Sequence, residues 1–356
     1  MADTAIKFET IEDGGNPRKQ SQIHQIEQNA FSITPFIEDN DPNYKFRFEI
    51  HAINKTCRSQ KIFLRINWNE PLYNEYRTTI YCTRNGSRKW EPVLMTNGGS
   101  STSAELMLQP GVSKIALQPS YSYGDVTQFI QGILSSEKIF HECIGRTAQN
   151  RKIHQITLNS APEKKKKGSI LIVCRIHPYE TAGSYCAEGI IETFLRGSIK
   201  SMGNLCKYRV HVIPMANPDG VYNGLCKRTA DDGVDLSKHL DAKDLTCSAL
   251  IDFIDRVRPA IYCEIHNWML PNVDGIYFLN RWQAHRLTRR FPRDVFRNWK
   301  IEFNKRIFAG KPVGLKKYCR NKFNSKAFVL EFPWLGRSTT VMKAIGVLSL
   351  KAISYL

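Results

Sequence analysis

The chain has 356 residues, 42% hydrophobic and 11% aromatic, which is enough apolar material for a large core and, at this length, for two domains. That composition excludes a disordered polymer, and the lack of any run of about 18 apolar residues argues against a membrane-spanning helix. The formal net charge of +18 directs attention to acidic partners.

No apolar run follows Met1, so export is not expected and a cytoplasmic location is. The ten cysteines, Cys82, Cys174 and Cys263 among them, are scattered through strand-like runs without paired spacing, as reduced core thiols would be. The glycosylation sequons at Asn54 and Asn85 are then chance matches.

Residues 1–30 are polar and are expected to be frayed or loosely docked. From 31 to 120 the text is strand-like. Tyr44–Ile53, Lys61–Trp68 and Arg77–Cys82 alternate apolar with polar side chains, and turns such as Asn85-Gly86 separate them. Short strands at this spacing predict an antiparallel β-sandwich, with Trp68, Tyr81 and Trp90 in its core.

The pattern changes near Gln118–Gly124, and residues 121–356 form the predicted second domain. Val126–Leu134 reads as a helix and Ile153–Leu158 as a strand. The lysines at 164–167 read as a solvated turn before the β-branched strand Ile170–Val173. Tyr185, Ile190, Ile191, Phe194 and Leu195 then recur at helical spacing up to Gly197. Tyr208–Pro214 is the next strand, Asn217-Pro-Asp-Gly220 a turn, and an irregular loop carries Arg228. The amphipathic helix Leu245–Val257 feeds the strand Ala260–His266, and Ala327–Glu331 is a further buried strand. Strands alternating with helices predict an α/β domain with helices on both faces of the sheet.

His177 and Glu180 lie just past a strand end, where open α/β folds place their ligands. A second strand delivers His266 to the equivalent position, and two imidazoles with one carboxylate make the donor set of a catalytic zinc that keeps a position for water. Glu331 ends the third strand, the place for a general base. Between Arg281 and Lys326 fifteen Lys or Arg stand against two acids, so this segment carries thirteen of the eighteen net charges. Its loops are expected to border the site and focus a positive field on an acidic substrate; a solvated face or a nucleic-acid patch is the alternative, with nucleic acid the less favoured.

His177-Pro-Tyr-Glu180, Asn217-Pro-Asp-Gly-Val221, Arg228, Gly233-Val-Asp-Leu236, Tyr262–His266 and Glu331 occur in the order used by zinc carboxypeptidases of the carboxypeptidase A type. Within that group the chain most resembles the cytosolic carboxypeptidases, which put a β-sandwich in front of the peptidase domain; Tyr121–Gly124 at the junction is also similar. The resemblance implies a mixed central sheet flanked by helices and one Zn2+ per chain held by His177, Glu180 and His266. It further implies Glu331 as general base, Arg228 as the cation at the scissile carbonyl, and Asp235 as the carboxylate orienting the first histidine.

Two departures bear on substrate. Where the family clamps a terminal carboxylate with Asn-Arg, this chain has Ser237-Lys238, and lysine lacks arginine's two-pronged grip. No tyrosine lies close before Glu331, leaving Tyr318 as a loose substitute. The first reading is a metallocarboxypeptidase acting on peptide or protein C-terminal tails, acidic ones favoured and no membrane involved. The alternatives are a zinc amidohydrolase or deacylase acting on a small acidic amide or cell-wall peptide, and a non-catalytic zinc-bearing binding protein. Oligomeric state is not legible in the sequence.

Overall fold

The computed structural model describes residues 5–15, 22–38, 46–68, 79–84, 87, 89–158, 167–197, 204–268, 274–291, 306–308 and 311–356. The turn Asn85-Gly86, the lysines 164–166, and residues 292–305 and 309–310 of the basic segment lie outside them. The chain divides into two units, one of 1–122 with 221–226 and 334–339, the other of 123–220, 227–333 and 340–356.

The first unit holds two five-stranded sheets. Alternation drives it: in Gln60–Asn67, Ile62, Leu64 and Ile66 are buried while Lys61 and Arg65 are exposed. The two sheets meet through Phe8 on Phe31, edge-on at 4.7 Å between ring centroids, and Phe48 near Trp68 at 6.4 Å. Trp68, Tyr81 and Trp90 are all buried. Two expectations need correction. Ile6–Thr10 and Gln22–Glu27, inside the segment expected to be frayed or loosely docked, form an edge strand of each sheet, where few inward side chains are needed and a polar strand suffices. The sandwich is also not wholly antiparallel, because Ala30–Thr34 pairs in parallel with Gln60–Asn67.

The second unit is built on an eight-stranded mixed sheet. In sheet order its strands are Ile139–Arg146, Lys152–Leu158, Tyr208–Ile213, Gly168–Cys174, Ile261–His266, Lys326–Glu331, Gly275–Tyr277 and Arg306–Phe308. The four from Tyr208–Ile213 to Lys326–Glu331 are mutually parallel, so their carboxyl ends share one edge. Their apolar runs are buried on both faces, as parallel strands under helices must be. The helix Ala182–Leu195 packs so closely that a Cβ on Gly183 would lie 2.7 Å from the Ile265 carbonyl. Leu245–Val257, capped by Asp244 accepting from the Cys247 amide, packs Leu250, Phe253 and Ile254 into a core with Leu171, Val173 and Tyr262.

Candidate metal centre

Register decides what meets at the sheet edge. His266 pairs directly with Glu331 across two parallel strands, and the strand ending at Cys174 lies on the other side of Ile261–His266. The chain leaving Cys174 must turn sharply. Arg175 adopts a left-handed backbone (φ 60°), and its buried guanidinium donates back to the Pro178 carbonyl (2.7 Å) and toward Ser184 (3.3 Å), which fixes the loop presenting His177 and Glu180.

The three proposed ligands converge. His177 Nδ1 lies 2.7 Å from Glu180 Oε1, His266 Nδ1 2.6 Å from Glu180 Oε2, and the two Nδ1 atoms 3.3 Å apart. All three residues are buried, and one donor atom from each lies within 4.8 Å of the others. Two ring nitrogens and a carboxylate aimed at one point fit a zinc site of the catalytic kind. Burial opposes charge on His177 and His266, but the Glu180 carboxylate outweighs it and holds both imidazoles above their ordinary values, His266 at about 10. Burial likewise pushes the Glu180 carboxyl up, yet the two histidines bring it well below its usual range. Such a cluster is short of positive charge, which a divalent cation would supply in place of those protons.

The outer faces of both rings are held. His177 Nε2 contacts Asp235 Oδ1 at 3.2 Å and Ser237 Oγ at 3.0 Å, and that hydroxyl also donates to Asp235 (2.9 Å). His266 Nε2 contacts Glu264 Oε2 at 3.1 Å, and Glu264 also accepts from the Tyr262 hydroxyl (2.9 Å) and the Lys316 ammonium (2.5 Å). Carboxylates at both Nε2 atoms leave both Nδ1 lone pairs for a metal. Glu264 and Lys316 were not singled out from sequence, although a glutamate inside an apolar strand needs a buried partner and so signals one.

Glu331 is partly exposed, but its Oε2 is sealed from solvent and has no hydrogen-bond partner among the described residues. Burial first, then repulsion from Glu180, raises its carboxyl to about 8, against the pull of His266, His177 and Lys227. Gly275 stands opposite it in the antiparallel register, and a Cβ there would sit 3.2 Å from both the Glu331 Cβ and the buried Trp268 ring. The missing side chain thus leaves room for the Trp268 ring and the Glu331 Cβ to approach from either side. Arg228 lies on the loop after the Asn217 turn. Its guanidinium donates to the Gly233 carbonyl (2.7 Å) and its own carbonyl accepts from Asn217 (3.0 Å).

The substrate residues read from sequence are arranged differently. Ser237 is buried with its hydroxyl engaged by His177 and Asp235, so it acts on the histidine side. Lys238 is exposed, its ammonium 3.6 Å from Asp235. Tyr318 does not join the centre: its hydroxyl donates to Asp255 (2.7 Å) on the helix Leu245–Val257. All ten cysteines are free.

Residues 126–246 match the family model for zinc carboxypeptidases. Cytosolic carboxypeptidase 6 of Mus musculus is 34% identical over 256 residues, 66% of this chain and 46% of that protein; its Homo sapiens counterpart is 26% identical over 254 residues, 65% of this chain and 49% of that protein. The chain thus spans about half the length of these curated relatives. The crystal structure of a metallo-carboxypeptidase from Burkholderia cenocepacia superposes with a TM-score of 0.80 at 18% identity, covering 98% of both chains, and one from Pseudomonas aeruginosa, in complex with (2-guanidinoethylmercapto)succinic acid, gives 0.78 at 17%. At those identities the superpositions establish the fold.

Proposed function

From the zinc carboxypeptidase domain that this chain carries, we propose a zinc-dependent metallocarboxypeptidase that removes C-terminal residues from peptides or protein tails, with acidic tails favoured. The observation carrying this reading is Glu331 Oε2, without a hydrogen-bond partner among the described residues, on the strand register that also delivers His266, next to a convergent His177, Glu180 and His266.

A zinc held by those three residues would polarise a scissile carbonyl and acidify water. Glu331 takes the proton from the attacking water and returns it to the leaving amine, and its raised basicity suits both halves of that transfer. The Arg228 guanidinium offers a permanent cation for the carbonyl oxygen as charge develops on it. Asp235 and Ser237 keep the His177 ring oriented, and Glu264 does the same for His266. A cytoplasmic location belongs to the same proposal. It is supported by the names of the relatives, and no helix among the described residues is long and apolar enough to cross a membrane.

Glu331→Gln tests the assignment. It should keep about one zinc per chain by elemental analysis while kcat on a peptide ending in glutamates falls by about 10²–10⁴. Retained activity would remove Glu331 from the base role. A second reading, a zinc amidohydrolase acting on a small acidic amide, is favoured by the inward commitment of Ser237, which leaves Lys238 alone where the family keeps a two-residue clamp. Faster cleavage of substrates with blocked C-termini than of free ones would select it.

A further inference from the structure

Against a net charge of +18, one acidic cluster outside the centre already described stands out. Asp231, Asp232 and Asp244 each bring a carboxylate oxygen to within 4.8 Å of the others. Asp231 and Asp232 are exposed at the tip of the loop running from Arg228 to Asp235, whereas Asp244 is fully buried. One oxygen of Asp244 caps the helix Leu245–Val257 by accepting from the Cys247 amide (2.8 Å). The other, Oδ2, is sealed from solvent and has no hydrogen-bond partner among the described residues. A buried carboxylate oxygen without a donor is costly, and Asp244 gathers here with two further carboxylates.

We propose that Asp231, Asp232 and Asp244 bind a hard divalent cation of the calcium class, separate from the zinc site. Three carboxylates and no nitrogen or sulfur donor suit such an ion, which takes oxygen ligands and completes its shell with carbonyls and water. The electrostatics agree: burial raises the Asp231 carboxyl, a backbone hydrogen bond offsets part of this, and repulsion from Asp244, Asp232 and Asp219 adds to the rise, which a bound cation would relieve.

The position gives the ion a role. The loop is closed on itself by Thr229 and Val234, whose amides donate to the Val234 carbonyl and the Thr229 hydroxyl (both 2.9 Å), and by the Arg228 guanidinium on the Gly233 carbonyl. It ends at Asp235, which orients His177. A cation joining its tip to the cap of a core helix fixes the stretch that carries both Arg228 and Asp235. The inference does not depend on peptidase activity, because its readout is binding.

The test is calorimetric titration of calcium chloride into the full, zinc-loaded chain, with thermal melts alongside. One calcium per chain should bind with Kd of about 10 µM to 1 mM and raise Tm by about 3 °C or more at saturation. Asp231→Asn with Asp232→Asn should weaken binding at least about tenfold. Asp244→Asn should do the same while the calcium-free protein keeps its Tm, since asparagine caps a helix as well as aspartate does. No saturable heat and no Tm rise up to about 10 mM calcium, or equal affinity in wild type and both variants, would overturn the site.

Discussion

The Lys316 ammonium donates to Glu264 Oε2 and to the Ser237 carbonyl (3.0 Å), and those two residues in turn hold His266 and His177 from outside. One buried cation therefore touches the residues that hold both proposed histidine ligands. Burial pushes the Glu264 carboxyl up, and Lys316 together with His266 more than offsets it, so the carboxylate stays charged in the core. Removing one partner of such a pair strands the other, typically at a cost of about 3–5 kcal/mol. Lys316→Met should lower Tm and, because Glu264 and Ser237 lose their anchor, weaken zinc retention by about 10–100-fold in a chelator competition. Stability lost with zinc affinity intact would reduce Lys316 to a core ion pair. In the sequence this lysine is one more charge of the basic segment. His177, Glu180, His266 and Glu331 were legible because each ends an apolar run, whereas a residue that works through a partner 52 positions away leaves no local pattern.

At the scale of elements, the strands that carry the centre are those that periodicity found, and the shortfall lies at the sheet's flank. Ile139–Arg146 carries Glu142, Cys143 and a bulge between Cys143 and Gly145, so no strict alternation announces it. It pairs with Lys152–Leu158 and sets His141 Nε2 2.9 Å from His154 Nδ1. Burial, then His141 and Lys152, depress His154 to about 4. Because this folded value lies below the unfolded value of about 6.5, the unfolded chain binds the extra proton in between; the pair's contribution is complete above about pH 6.5 and is lost as pH falls toward 4. Wild type should lose about 1–2 kcal/mol more stability between pH 7 and 5 than His154→Gln does, measured by urea unfolding at each pH. Parallel pH curves for the two proteins would show that this hairpin takes no part in acid sensitivity. Tyr318 shows a different limit: on a helix packed against the core, its face is set by Asp255 and Phe323, and distance along the chain from Glu331 says nothing about that.

For the molecule as a whole, the question is how much of the +18 charge is available to a substrate. Within the described residues of the basic segment, several cations are engaged internally. Lys316 serves Glu264, Arg320 donates to the Phe278 and Ala327 carbonyls, and Arg290 lies 3.9 Å from the Tyr355 ring centroid. Other lysines face outward, and Lys317 lines a surface recess of about 610 Å³ with Lys238, the neighbour of Ser237 in the loop that orients His177. Exposed charges such as these act at a distance, are screened over about 8–10 Å at ordinary salt, and bear on encounter more than on the chemical step. For a peptide ending in several glutamates, kcat/KM should therefore fall about tenfold between roughly 50 and 500 mM salt, with kcat little changed. A neutral peptide of the same length should lose little. Lys238→Gln with Lys317→Gln should flatten the dependence for the acidic peptide and leave the neutral one where it was. Identical salt curves for the two peptides would mean that the surplus charge serves solubility or another partner, and the preference for acidic tails would have to come from contacts inside the site.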